Sequence, residues 1–261
     1  MPNIRYFTAM RDALRASGRR IVYSINPNSS ADPGAGARYD WSDVADLTRN
    51  TIDLVPSWGD DALWAGGLFG VAQQFLAAAP VAPRSRPGHY NDPDMLVVGI
   101  PWPVFAAGHP TMALGPGRPD LTDTEQRAHL SLWAMLAAPL LAGNDPRSQS
   151  AETRDILTNR EVIAVDQDPL VTQGRALPRE PRVIVKPLAD GSVAVALFND
   201  DERPVAIYTD VLAVGLPAAD CYTVRDLWAH HETTSNGPIT AGMVPAHAVK
   251  MLRVHASCPR E

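Results

Sequence analysis

Apolar positions in the first two-thirds of the chain alternate between two spacings. Ile4, Phe7, Met10, Ala13 and Leu14 recur at helical intervals, and Gly18 supplies a stop. Ile21-Val22-Tyr23-Ser24 is a short β-rich run, followed by a polar loop from Asn26 to Asp40, the pattern of a buried strand with a long loop at its carboxyl end. The pairing repeats as a short helix over Trp41, Val44, Ala45 and Leu47, a strand over residues 51–55 and a helix over 60–79. A third unit runs from His89-Tyr90-Asn91 into Asp92-Pro93-Asp94-Met95-Leu96, then a long loop over 99–120 and a helix over 122–138 with Leu130, Trp133, Ala134 and Leu136 inward. The fourth pairs the run 139–143 with a helix that Ser150 caps and that carries Ile156, Leu157, Val162 and Ile163. Strand, loop and helix recurring about four times is the grammar of parallel α/β folding.

After Asp168-Pro169 the period falls to two. Strand-length runs at 183–185, 192–198, 205–208, 221–224 and 248–252 are separated by turn signals at 189–191, 199–202 and 235–238. They predict an antiparallel β-sandwich over residues 172–261, after an α/β domain over residues 1–171.

Composition narrows the partners. With 23 Lys+Arg against 29 Asp+Glu, the formal net charge of −6 leaves no basic excess to displace counterions, which argues against a nucleic-acid binder. The apolar stretch 62–79 is interrupted by Gly66, Gly67, Gly70, Gln73 and Gln74 and has no basic flank, so it reads as a buried helix and not a membrane span. Met1-Pro-Asn-Ile-Arg-Tyr lacks the cationic and apolar regions of an export signal. Cys221 and Cys258 are the two cysteines, and spacing leaves open whether they are bridged.

Polar residues collect where each α/β strand hands over to its loop: Asn26, Arg49 with Asp53, Asp92 with Asp94, and Asn144 with Asp145. That end of a parallel sheet is where ligands bind. For Asn144, Asp145 and Asp92 the competing reading is a helix cap or Asx-turn. Arg49 and Asp53, four apart, share one face if the segment is extended; they are equally read as a tuned acid or a structural ion pair. His89 with Asp92 and Asp94 raises a divalent-metal site as a rival, but too few ligands are in view. His230-His231-Glu232 lacks the HExxH spacing, and no GxSxG is present.

These segments resemble glycoside hydrolase family 27, the α-galactosidase family, which also holds α-N-acetylgalactosaminidases and β-L-arabinopyranosidases. The resemblance rests on Arg19-Arg-Ile-Val-Tyr-Ser24, on Arg49-Asn-Thr-Ile-Asp53 with Trp58, and on Tyr90-Asn-Asp-Pro-Asp-Met-Leu96. It continues through Leu132-Trp-Ala-Met-Leu-Ala-Ala-Pro-Leu-Leu141, Asn144-Asp145 and Asn159–Leu170 with Gln173-Gly174, in the family's order. It implies the second half of a (β/α)₈ barrel followed by an antiparallel β-sandwich, and retaining hydrolysis of terminal α-D-galactosides without a cofactor or metal. By the resemblance Asp53 is the acid/base, Arg49 binds sugar, Asp94 bonds sugar hydroxyls with Asp92 as a further substrate-binding carboxylate, Met95 lines the pocket, and Tyr90 stands beside it as a substrate-binding residue in the place of a family tryptophan. Family members are commonly secreted; the compartment of this chain is open.

Two departures shape the expectation. The family's nucleophilic aspartate and the paired aspartates of its first strands have no counterpart here, so the chain is expected to be a truncated form, inactive alone, whose exposed barrel edges would pair with a missing N-terminal half or with themselves. A carbohydrate-binding remnant without catalysis is the alternative. Ile25-Asn26-Pro27 replaces the family's Cys-Glu step: Ile25 cannot form the family disulfide, and Asn26 puts a neutral amide where a charged partner of the 2-hydroxyl stands. With Ser29 and Ser30 following, the pocket could admit a 2-acetamido sugar or L-arabinopyranose. The loop 99–120, with Trp102, Phe105 and His109, is either an aglycone wall or a surface loop packed by its own side chains.

Overall fold

The computed structural model describes residues 2–27, 36, 39–59, 67–110 and 117–257. Helix α1 (Pro2–Ala16) ends at Gly18, whose φ of +69° is the left-handed stop expected there. Strands β1 (Ser24–Ile25), β2 (Leu47–Arg49) and β3 (Tyr90–Asp92) pair in parallel in that order, with Leu47 opposite Tyr90 and Arg49 opposite Asp92. A parallel bridge from Leu96 to Ala142 supplies the fourth strand position. Helices α2 (Val71–Ala78), α3 (Trp102–Gly108), α4 (Asp123–Leu136), α5 (Ala151–Leu157) and α6 (Arg160–Asp166) lie between and after these strands. Four parallel positions with interleaved helices make half of an eight-stranded barrel.

Several predicted elements move. The second strand lies at Leu47–Arg49 and not at 51–55, because Asp46 and Leu47 are drawn into pairing with Tyr23. That pairing also reduces the predicted helix over 41–47 to one turn, anchored by the buried Trp41. The first strand, expected over residues 21–24, shifts to the two residues Ser24–Ile25, since Ile21 and Val22 are exposed. The helix predicted from residue 60 begins at Val71 in the described part, with residues 60–66 outside it. Phe69 is extended and bridges Leu54, and Gly70 passes so close to the Trp58–Gly59 backbone that a Cβ would meet Gly59 atoms at 2.4 Å. The helix after Ser150 breaks at Thr158, because Asn159 turns its side chain to accept from Glu161 N–H and Val162 N–H and starts α6. The loop 99–120 contains α3.

Helix α4 has the signals of a strong helix. Thr122 and Glu125 form a reciprocal capping box, and Ala137 closes it at a φ of +51°. It is buried on all sides from Ala128 to Leu136, because the half-barrel covers one face and the second domain the other.

That second domain has a six-stranded antiparallel sheet in the order β4 (Arg175–Leu177), β5 (Glu180–Pro187), β6 (Val193–Asn199), β11 (Ala248–His255), β8 (Tyr222–Asp226), β9 (His231–Ser235). A pair formed by β7 (Val205–Asp210) and β10 (Pro238–Val244) completes the sandwich. Period-two alternation along β6 serves two cores: Val193, Val195 and Leu197 face the sandwich interior, and Ala194, Ala196 and Phe198 face the barrel helices. Cys221 is disulfide-bonded; the other cysteine, Cys258, lies outside the described residues.

Polar contacts tie the domains together. Lys186 of β5, wholly buried, donates to the Ala134 carbonyl at 2.8 Å, and Asn159 donates to Leu227 at 3.0 Å. Arg225 forks onto Glu161 at 2.8 and 2.9 Å. No helix among the described residues is long and apolar enough to cross a membrane.

Candidate active site

Arg49 closes β2, beside Asp92 at the close of β3. Its Nη2 lies 2.8 Å from Asp53 Oδ1 and 2.6 Å from Asp94 Oδ2, so one guanidinium holds two carboxylates that are forty-odd residues apart in the chain. The two differ in access: the Asp53 side chain is 54% exposed and that of Asp94 17%.

Asp94 is fixed from every side. Its φ of +83° is a left-handed conformation unusual for a residue with a side chain, and such strain persists only where the surroundings over-determine it. Asp92 Oδ1 accepts from the Asp94 N–H at 2.8 Å, Trp133 Nε1 of α4 donates to the Asp94 carbonyl at 2.8 Å, and the Asp94 carboxylate accepts from Leu54 N–H at 3.0 Å and Met95 N–H at 2.8 Å. Asp92 is buried, and that burial raises its pKa above the ordinary carboxylate value; the neighbouring Asp94 charge adds to the rise, and the bond from Asp94 N–H and the Arg49 charge oppose it. Asp92 therefore has the geometry of the Asx-turn reading. Both oxygens of Asp94 are also engaged, which leaves Asp53 as the accessible carboxyl of the cluster.

The other candidates distribute as follows. Asn26 is exposed, one residue past β1, at the same carboxyl end of the sheet as Arg49. Met95 is half-buried next to Asp94. Tyr90 stands apart: it begins β3, opposite Leu47, and lines a cavity of about 410 Å³ with Leu47, Leu140 and Asp168 at the other end of the strands. Ser29 and Ser30 lie outside the described residues.

His89 does not join the aspartates. Its ring nitrogens are 3.1 Å from Thr48 Oγ1 and 3.0 Å from the Arg84 carbonyl, and burial lowers its pKa. No group of three His, Cys, Asp or Glu able to hold a metal occurs among the described residues. Asp145 pairs with Arg147 at the surface, and Asn144, half-buried, donates to Gln149. In the described part of the loop 99–120, Trp102 and Phe105 turn inward onto Val55 and His109 stacks on Phe105 at 4.3 Å, which is packing by the loop's own side chains.

Two residues that matter to this geometry, Trp133 and Gln74, lie outside the strand-end pattern of polar residues. Trp133 has the sequence pattern of a core residue, and only its indole N–H reveals the contact with Asp94. Gln74 carried a visible signal, a polar residue within an apolar helical run.

Residues 3–168 match the family model described as alpha galactosidase A, and residues 179–254 match the alpha galactosidase C-terminal beta sandwich domain. Alpha-galactosidase 3 of Arabidopsis thaliana is 34% identical over 238 residues, which is 89% of this chain and 47% of that protein. The alpha-N-acetylgalactosaminidase of Gallus gallus is 31% identical over 229 residues, 85% of this chain and 51% of the relative. The crystal structure of alpha-galactosidase I from Mortierella vinacea superposes with a TM-score of 0.77 at 26% identity, over 98% of this chain and 63% of that one. The chain thus spans about half the length of the curated relatives it matches. With both parts matched in order, and the first match alone covering more than half of its residues, this chain belongs to the α-galactosidase family, glycoside hydrolase family 27.

Proposed function

We propose that these residues supply the acid/base half of a retaining glycosidase acting on terminal α-D-galactosides, and that turnover requires a carboxylate they do not contain. The observation that carries this reading is the shared guanidinium: Arg49 holds Asp53 open to solvent while Asp94 is locked. In a retaining double displacement the two working carboxyls stand roughly 5–5.5 Å apart on either side of the anomeric carbon. Asp53 gives its proton to the glycosidic oxygen as that bond breaks and the nucleophile's carboxylate bonds to the anomeric carbon. It then takes a proton from the water whose oxygen displaces that carboxylate, which returns both groups to their starting forms. Asp92 and Asp94, committed to backbone N–H groups, are poorly suited to be the nucleophile.

In this reading Arg49, Asp94 and Met95 contact the sugar, Asp92 shapes the Asp94 turn, and Asn26 faces the 2-position. Tyr90 serves the strand's far end and not the sugar. The barrel part ends near residue 171, where the sandwich begins. A neutral Asn26 also suits a 2-acetamido group, and a relative named alpha-N-acetylgalactosaminidase is 31% identical. The test joins this chain to the N-terminal half of a family member and compares aryl α-galactoside, α-N-acetylgalactosaminide and β-L-arabinopyranoside. Fastest turnover of the galactoside supports the proposal; fastest turnover of another sugar moves the specificity; no turnover of any sugar by a folded fusion refutes the catalytic role.

A further inference from the structure

Helix α2 buries Val71, Phe75 and Ala78, and the remaining position of that stripe is Gln74, which is fully buried. An apolar side chain would fill this place without a polar group to satisfy. Gln74 Nε2 lies 2.8 Å from Thr51 Oγ1, 2.9 Å from the Ile52 carbonyl and 2.5 Å from the Pro93 carbonyl. The first two acceptors immediately precede Asp53, and the third immediately precedes Asp94. The amide oxygen, by contrast, is buried without a partner, which costs stability. A buried amide whose oxygen is unpaired is better explained by what its nitrogen holds.

We propose that Gln74 is a positioning residue for this site: one buried amide nitrogen clamps the segment carrying Asp53 to the turn carrying Asp94, so that α2 sets the separation of the two carboxylates. The cross-link runs parallel to the Leu54 N–H bond to Asp94 Oδ2, and the pair fixes both ends of the same short stretch. The catalytic meaning of the clamp rests on the hydrolase reading above, whereas its existence can be measured without substrate, so the two ideas fail separately.

The test is amide hydrogen exchange on the full chain, read as protection relative to intrinsic rates at Leu54 and Met95, whose N–H groups both bond to Asp94, with Leu132–Leu136 of α4 as the internal control. Gln74→Met keeps the volume and removes the donor; Leu54 and Met95 should exchange about tenfold faster or more, the equivalent of one ordinary hydrogen bond, with α4 unchanged. Gln74→Glu replaces the donor by a carboxylate facing three oxygens. It should lose protection at the same two amides near neutral pH and regain it on acidification, when the introduced carboxyl carries a proton to donate. Unchanged protection in Gln74→Met, or an equal loss across α4, overturns the proposal. Should Gln74→Met fail to fold, Gln74→Glu decides alone: reversible, pH-dependent loss confined to Leu54 and Met95 supports the clamp, and pH-independent behaviour overturns it.

Discussion

The half-barrel and the sandwich meet the same demand, pairing of polar groups, with different success. In the sandwich, strands of three to eight residues pair antiparallel, and every buried side-chain nitrogen and oxygen among the described residues has a partner. In the half-barrel the strands are two or three residues long, and the unpartnered buried atoms all fall there: Arg49 Nε, both amide atoms of Asn50, Trp58 Nε1, Gln74 Oε1, both nitrogens of His129 and Asp166 Oδ1. Unpaired buried groups destabilise by about 1–3 kcal/mol each. The sandwich is arranged as a finished structural unit. The half-barrel retains unmet polar capacity, some of it next to Arg49 and Asp53, where chemistry is expected.

This contrast can be sharpened by substitution. The largest effect is expected at Asp53: in a completed barrel Asp53→Ala should lower kcat by roughly 10²–10⁴-fold, the usual contribution of a general acid/base, while a substitution in the sandwich such as Arg182→Ala leaves it unchanged. Steady-state kinetics on an aryl α-galactoside reads both.

His129 comes next. Its imidazole is wholly buried against Trp133, and burial pushes its pKa down to about 3. An unfolded histidine titrates near 6.5, so between those values the unfolded chain binds a proton that the folded chain refuses. The associated stability is whole above pH 6.5 and is lost as pH falls, by about 3 kcal/mol at pH 4.5. His129→Leu should flatten this acid dependence in chemical denaturation curves recorded at several pH values; an unchanged pH slope contradicts the account.

Arg49→Met is expected to cost about 2 kcal/mol, because Asp94 loses its cation while remaining mostly buried. Denaturation midpoints measure this, and Asp94→Asn in the same background should recover part of it. The smallest effect belongs to the domain interface. Bonds from Arg225 hold the Glu161 carboxyl at about 2, against the desolvation that opposes them, with His230 assisting. Its contribution is present above pH 4.5 and fades as pH falls toward 2. For a pair about one-third exposed, Glu161→Gln should cost less than about 1 kcal/mol near pH 7.

What was legible in the sequence follows the same divide. Period-two runs such as 192–198 found their strands because local pattern and tertiary burial agree there. No strand forms at the predicted 51–55 because its apolar residues are buried by loop crossings, Leu54 on Phe69 and Val55 on Trp102, and not by strand pairing. Arg49 and Asp53 do pair, as their spacing allowed, although the segment between them is not a strand. The bond of Arg49 to Asp94 and the clamp by Gln74 join segments far apart in the chain, and no local pattern encodes such a meeting. The turn at Asp94 depends on an Asp92 oxygen and a Trp133 nitrogen, so its strained backbone also lay beyond sequence periodicity.

In the proposed reaction Asp53 works only with a partner carboxylate supplied from outside these residues. The most direct measurement is turnover of an aryl α-galactoside by the purified 261-residue chain alone. The expected rate is indistinguishable from the uncatalysed background. Hydrolysis above background that disappears in Asp53→Ala would show that both working groups reside in this chain, and would contradict it.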